Sequence, residues 1–198
     1  MHGGIFMKID IQSEFDSMIA SVASEDFFRG EGLGNELAFY IYDYDPRYEI
    51  EVRKQIPQFI KQVTKKTSKS ILHIDILELI VEVLKGKGLL EKSYELQAKL
   101  GNDGFLEAIK GVINEVTLSD IISEKCVGQY DLLVVSGIGK SYPISRAHNL
   151  LNNLHAKMRN TPLIMMYPGL YNKQSLHLFN EFKDDNYYRA FRLIDRQE

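Results

Sequence analysis

Residues 131–143 read DLLVVSGIGKSYP, an apolar run followed by Ser136-Gly137 and then Gly139-Lys140-Ser141. That order of residue types suggests a loop that wraps phosphates in backbone N–H groups, so its spacing must be tested. A Walker A loop, G-x-x-x-x-G-K-[ST], has its first glycine five positions before the second. Here the residue five positions before Gly139 is Val134, inside the apolar run. Ser136, Gly137 and Ile138 leave too little chain to encircle a phosphate. In a working P-loop the helix starts at the lysine, so that its N-terminus faces the ligand. Pro143 follows Ser141 by two residues, and proline favours the first helical turn and disfavours helix just before itself. The spacing therefore predicts a helix starting near Pro143, with Lys140-Ser141 in a glycine-rich turn. A dinucleotide fingerprint G-x-G-x-x-G fails as well, because Tyr142 stands where the third glycine belongs.

Other groups carry chemistry. Asp43, Asp45 and Asp75 fall at the ends of apolar runs beside Ser136-Gly137 and Pro168-Gly169. Carboxylates at one sheet edge could hold a divalent cation, but aspartates that precede helices more often cap them. His148 and His155 lie seven apart on one predicted helix, about two turns, too far to share a metal. Ser136 and His148 could be cast as nucleophile and base, yet nothing supplies the orienting third group. Lys61, Lys65, Lys66 and Lys69 form a basic cluster that suits phosphate neutralisation. No aromatic is interleaved to stack bases, so a solvated helix end is the plainer reading. Near the C-terminus, KDDNYYRAFRLI joins an Asp184-Asp185-Asn186 turn signal to Tyr187, Tyr188, Arg189, Phe191 and Arg192. That composition suits an interaction surface or an edge strand packing its aromatics inward.

The elements that must position these groups follow from periodicity. Residues 8–29 predict an amphipathic helix with Ile11, Phe15, Met18, Ile19 and Val22 inward and a start near Ser13 and Asp16. LAFYIYDYD from Leu37 predicts a strand buried on both faces. Pro46 opens a helix with Ile50, Ile56, Phe59, Ile60 and Val63 inward, kinked or restarted at Pro57. A second strand over 71–74, ending at Asp75, leads to a helix over 77–85 that Gly86 and Gly88 stop. Two further helices, joined at Gly101-Asn102, make a helical insertion of about residues 86–117. Strands over 132–135, 163–167 and 190–194 complete the set. ISRAHNLLNNLHAKM is a helix between the third and fourth strands, with Leu150, Leu151 and Leu154 in the core. NKQSLHLFNEF connects the fourth and fifth. Strand and helix alternate. The expected fold is therefore a three-layer α/β domain with a mostly parallel five-stranded sheet, Rossmann-like or P-loop-like without a functional P-loop.

Composition bounds the rest. The chain has 198 residues, 44% hydrophobic, which suffices for one sizeable core, and a formal net charge of −3. That charge gives no global pull toward nucleic acid or anionic membrane. With one cysteine, Cys126, there is no internal disulfide and no multi-cysteine zinc site. No run of about 18 apolar residues suggests a membrane span. MHGGIFMKID is not a signal peptide, and residues 1–7 read as a disordered or non-native N-terminus, with Met7 a possible start. A single cytoplasmic domain is expected, with no metal and no cofactor.

RGEGLGNELAFYIYDYDP, SGIGKSYPISRAHNLLNNL, MMYPGLYNKQSLHLF and FKDDNYYRAFRLI together resemble the BrxB family of BREX (bacteriophage exclusion) systems. The resemblance runs from about Phe28 to Ile194, with the family's glycines and Tyr/Phe-Pro falling on Gly137, Gly139, Tyr142 and Pro143. The family pattern does not require the Lys-Ser between them. The resemblance implies a part in anti-phage defence, in which BREX proteins act together in phage restriction and host DNA methylation. It brings no assigned catalytic activity. It implies other BREX proteins as partners, the phosphatase-like PglZ foremost.

The expectation is thus a non-enzymatic assembly factor. Its partner surface would draw on the Gly32–Gly34 loop and on Gly137, Gly139 and Tyr142 in the glycine turn. Arg146, His148, Asn152 and Asn153 would contribute along the following helix, and Asp184, Asp185, Tyr187, Tyr188 and Arg189 near the C-terminus. The alternatives are a nucleotide-binding site at the strand ends and a DNA-binding accessory role.

Overall fold

The computed structural model describes residues 10–28, 39–126, 128–158, 161–186 and 190–194. The N-terminal stretch 1–7, the Gly32–Gly34 loop and Tyr187–Arg189 lie outside the described residues.

Helix α1 (Ile11–Val22) starts at Asp10, whose side chain accepts from the Gln12 and Ser13 amides, and it buries the five predicted apolar residues. The cap is thus three residues earlier than the Ser13 signal. Strand β1 (Phe39–Tyr44) ends before a 3-10 turn, Pro46–Tyr48, that leads into α2 (Glu49–Thr67). Two expectations for α2 fail. The helix does not restart at Pro57 but runs through it as one element. Pro57 is on the exposed face, where water can take the carbonyl that proline's missing N–H leaves free. Ile50 is 62% exposed, and Val52 takes the buried place instead.

Strand β2 (Ile71–Asp75) passes directly into α3 (Ile76–Gly86). Helix α4 (Leu90–Lys110) carries a non-helical Gly101, φ 70°, at the predicted junction. The positive φ suits glycine, which lacks the Cβ that would clash there. Helix α5 (Glu115–Cys126) precedes β3 (Leu132–Ser136). A one-turn helix α6 (Ile138–Ser141), then α7 (Ala147–Lys157), β4 (Leu163–Tyr171), β5 (Ser175–Leu178), β6 (Phe182–Asn186) and β7 (Ala190–Arg192) complete the chain.

Five strands run in the order β2-β3-β4-β1-β7, all parallel. Alternation along them builds two cores. Leu133, Val135, Leu163 and Met165 pack with α3, α5 and α7. Leu132, Val134, Ile164 and Met166 pack with α1 and α2. Near-continuous apolar strands are what two covered faces demand, and each fully buried aliphatic side chain contributes about 1.5–3 kcal/mol.

The expected alternation breaks after the fourth strand. β4 extends past Pro168 to Tyr171, and NKQSLHLFNEF forms the antiparallel β5–β6 hairpin against that extension. The hairpin turns through Phe179 and Asn180, both at positive φ, closed by Glu181 N–H donating to the Leu178 carbonyl at 3.0 Å. This is the twist of a type I′ turn. Gly169 admits the β5 backbone, because a Cβ there would collide with the His177 carbonyl.

Candidate functional site at the carboxyl edge of the sheet

The strand ends carry most of the polar residues singled out by the sequence. Asp75 caps α3, accepting from the Leu77 and Glu78 amides at 3.1 and 3.2 Å. It also meets Ser136 Oγ at 3.4 Å and Lys140 Nζ at 2.6 Å. Ser136 Oγ in turn lies 2.8 Å from His73 Nε2. His73 as a residue is exposed on the edge strand, but its ring nitrogen faces this cluster. Desolvation holds its pKa below the usual histidine value, with Lys140 acting the same way and Asp75 and Glu78 opposing.

Lys140 and Ser141 are therefore not in a loop. Ile138–Ser141 is a helical turn that begins at Gly137, in the left-handed region at φ 77°. The proline argument holds one residue later: Tyr142 is extended before Pro143, and α7 begins only at Ala147. A Cβ on Gly137 would collide with the Asp75 carboxylate, and one on Gly139 would sit 2.8 Å from the Phe179 ring. Both glycines serve close packing. Lys140 is held by Asp75, so the GKS lysine is bound within the protein.

Ser136 pairs with His73 and not with His148, the histidine that could be cast as its base from sequence but without an orienting group. In a nucleophile triad the carboxylate orients the histidine. Here Asp75 bonds the serine and is neutralised by Lys140. His148 is buried on α7, beside a shallow cavity that Lys110, Glu115 and Arg146 also line.

The other aspartates divide. Asp45 is a cap, accepting from the Arg47 amide at 2.9 Å and bonded by the Arg47 side chain, which lowers its pKa. Asp43 caps nothing. Almost fully buried, it pairs with Arg192 at 3.2 Å and accepts from the Tyr171 amide at 3.0 Å, fastening the β4 extension to β7. Among the described residues no group of three or more His, Cys, Asp or Glu is placed to hold a metal ion. Cys126 is buried, which pushes its thiol up to about 11.

A second corner lies where the hairpin meets the α6–α7 junction. Tyr142 and Phe182 stack there, ring centroids 5.4 Å apart, with Phe179 edge-on to Phe182 at 6.4 Å. Phe182 is 47% exposed. Tyr142, Arg146, Phe182 and Lys183 line a cavity of about 340 Å³ beneath the ring pair. Asn152 and Asn153 lie farther along α7, Asn152 exposed and Asn153 donating to the Asn149 carbonyl. Asp184 and Asp185 fall within β6. Phe182 and Lys183 were not singled out from sequence. Their signal was membership of the FKDDNYYRAFRLI segment.

The lysine cluster divides too. Lys61, Lys65 and Lys66 are exposed on α2 and line a shallow depression with Gln58 and Gln62. Lys69 is bound to Asp131 at 3.0 Å and lies over the Phe28 ring. No helix of the described residues is long and apolar enough to cross a membrane.

Comparison with known proteins adds a family. A family model described as BREX protein BrxB matches residues 72–193. A "BREX protein BrxB" of Bacillus cereus (strain H3081.97) is 38% identical over 189 residues, covering 94% of this chain and 98% of the relative. A "BREX protein BrxB" of Escherichia coli O9:H4 (strain HS) is 32% identical over 180 residues, covering 90% of this chain and 89% of the relative. No solved structure matches the chain.

Proposed function

The chain belongs to the BrxB family of BREX proteins, and on that premise we propose that it is a non-catalytic assembly factor of anti-phage defence. It acts by holding other BREX proteins together during phage restriction and host DNA methylation, in the cytoplasm. The observation that carries this reading is the exposed aromatic corner, where Phe182 is stacked on Tyr142 beside Arg146. Aromatic residues and arginine are enriched at interface cores, and a large exposed apolar side chain rimmed by polar groups marks a contact site. β6 leads from this corner into the Tyr187–Arg189 segment, which extends the same composition along the chain. Lys140, the residue a nucleotide's phosphates would need, is engaged by Asp75, and this supports a protein-binding role over a nucleotide site.

The PglZ-type protein of the same system is the proposed direct partner. Co-expression followed by size-exclusion chromatography with mass measurement tests it. Co-elution at a defined stoichiometry is expected. Phe182→Glu should abolish it while leaving the thermal midpoint of the isolated chain near wild type. Separate elution of two folded proteins would remove that pairing. A complex indifferent to both Phe182→Glu and Arg146→Glu would remove this surface.

A further inference from the structure

We propose that the cavity beneath the Tyr142–Phe182 pair is a binding site for a small phosphomonoester with a planar body. The cavity measures about 340 Å³, at the lower end of the range of small-molecule sites.

Three features converge on an anion. Ala147, which lines the cavity, is the first residue of the 11-residue α7, and the N-cap residue Arg146 supplies no side-chain cap. That helix end brings its partial positive charge to the cavity wall, offset in part by the Glu115 carboxylate, which accepts from the Arg146 amide at 2.8 Å. Arg146 and Lys183 also line it, and among the described residues neither takes part in an ion pair. Glu181 sets one negative charge against these two.

The third feature is independent of charge. Ser145 lines the cavity, is 2% exposed, and its Oγ has no hydrogen-bond partner among the described residues. Buried hydroxyls are normally paired, because an unmade bond there costs the full desolvation of the group. A phosphate oxygen would supply the missing partner. A tetrahedral oxyanion has acceptors enough for a serine hydroxyl, an arginine fork, an ammonium and a helix end together. The stacked ring pair, 29° from parallel, offers a flat apolar wall to whatever the phosphate is attached to.

The lysine of the GKS turn is paired with Asp75 and is not among the lining residues, and the site touches that turn only through Ile138. It does not depend on the partner assignment, and it is tested on the isolated full-length chain.

The experiment is calorimetric titration and thermal melting with phenyl phosphate and inorganic phosphate, with phenol as the uncharged control. Phenyl phosphate should bind and raise the melting temperature, and phenol should do neither. Arg146→Gln should weaken phenyl phosphate about tenfold or more, as loss of a charge-assisted bond does. Ser145→Ala separates binding from folding. It should weaken the ligand while the ligand-free variant melts at or above wild type, since it deletes a buried hydroxyl with no hydrogen-bond partner among the described residues. Three results would overturn the proposal: no binding of either phosphate-bearing probe, phenol binding as well as phenyl phosphate, or affinity unchanged in both variants. A ligand-free Ser145→Ala that melts well below wild type would also overturn it, by giving the hydroxyl a structural bond.

Discussion

Two corners of the same sheet edge flank helix α6 and are built from similar residues in opposite ways. At the β2–β3 corner, Asp75, Ser136, His73 and Lys140 satisfy one another, and the cation is 2.6 Å from its carboxylate. At the hairpin corner, Arg146 and Lys183 face a cavity, Ser145 Oγ is unbonded among the described residues, and Phe182 lies open to solvent. A lysine in a glycine turn attracts attention as a ligand group, yet it belongs to the closed corner. Charge held by an internal partner serves the fold, whereas charge left facing a cavity remains available to a ligand. The contrast turns on who holds each charge and is independent of residue type.

The sharpest way to break the comparison is Gly137→Ala. Alanine at φ 77° costs about 1–2 kcal/mol in backbone strain, and its Cβ would also displace the Asp75 carboxylate. A loss of about 3 kcal/mol or more is expected in urea denaturation. A loss below about 1 kcal/mol would mean that the corner is pliable.

Lys140→Met comes next. It leaves the buried Asp75 carboxylate with its amides and serine but no counter-charge, so a loss of about 1.5–3 kcal/mol is expected. A neutral result would reopen Lys140 as a ligand-facing group. The Arg146→Met counterpart should leave stability within about 0.5 kcal/mol, as exposed surface positions do.

The smallest effect is a pH dependence. The folded-state pKa of His73 is lowered, so the unfolded chain binds the proton first as pH falls. Stability should therefore rise with pH through the histidine range and decline as acid charges the ring. His73→Gln should flatten that slope in melts taken across mildly acidic pH. An unchanged slope would show that the ring is not coupled to the corner.

The strand and helix order was legible because each element carries its own period. β1, β2, β3 and β4 fall on the predicted apolar runs, and Asp45 and Asp75 cap as aspartates before helices do. The failure of the Walker spacing could be read from sequence, but the helical turn at Ile138–Ser141 could not. The rule about proline concerns only the residue directly before it. The hairpin escaped for a related reason. Phe179 adopts a positive φ that phenylalanine rarely takes, and its ring lies where a Cβ on Gly139 would collide with it.

By itself the sequence determined the α/β class, the parallel core strands and the family motifs, because periodicity, capping and turn residues act over a few positions. Only the tertiary structure decided the partners. It brought Ser136 to His73, 63 residues away, and Arg192 to Asp43, 149 away, and it closed Lys140 onto Asp75. It also left Ser145 and Arg146 on a cavity whose other wall is the hairpin. These pairings depend on strand order and register, which follow from burying both faces of the whole sheet at once, and no local stretch of chain encodes that.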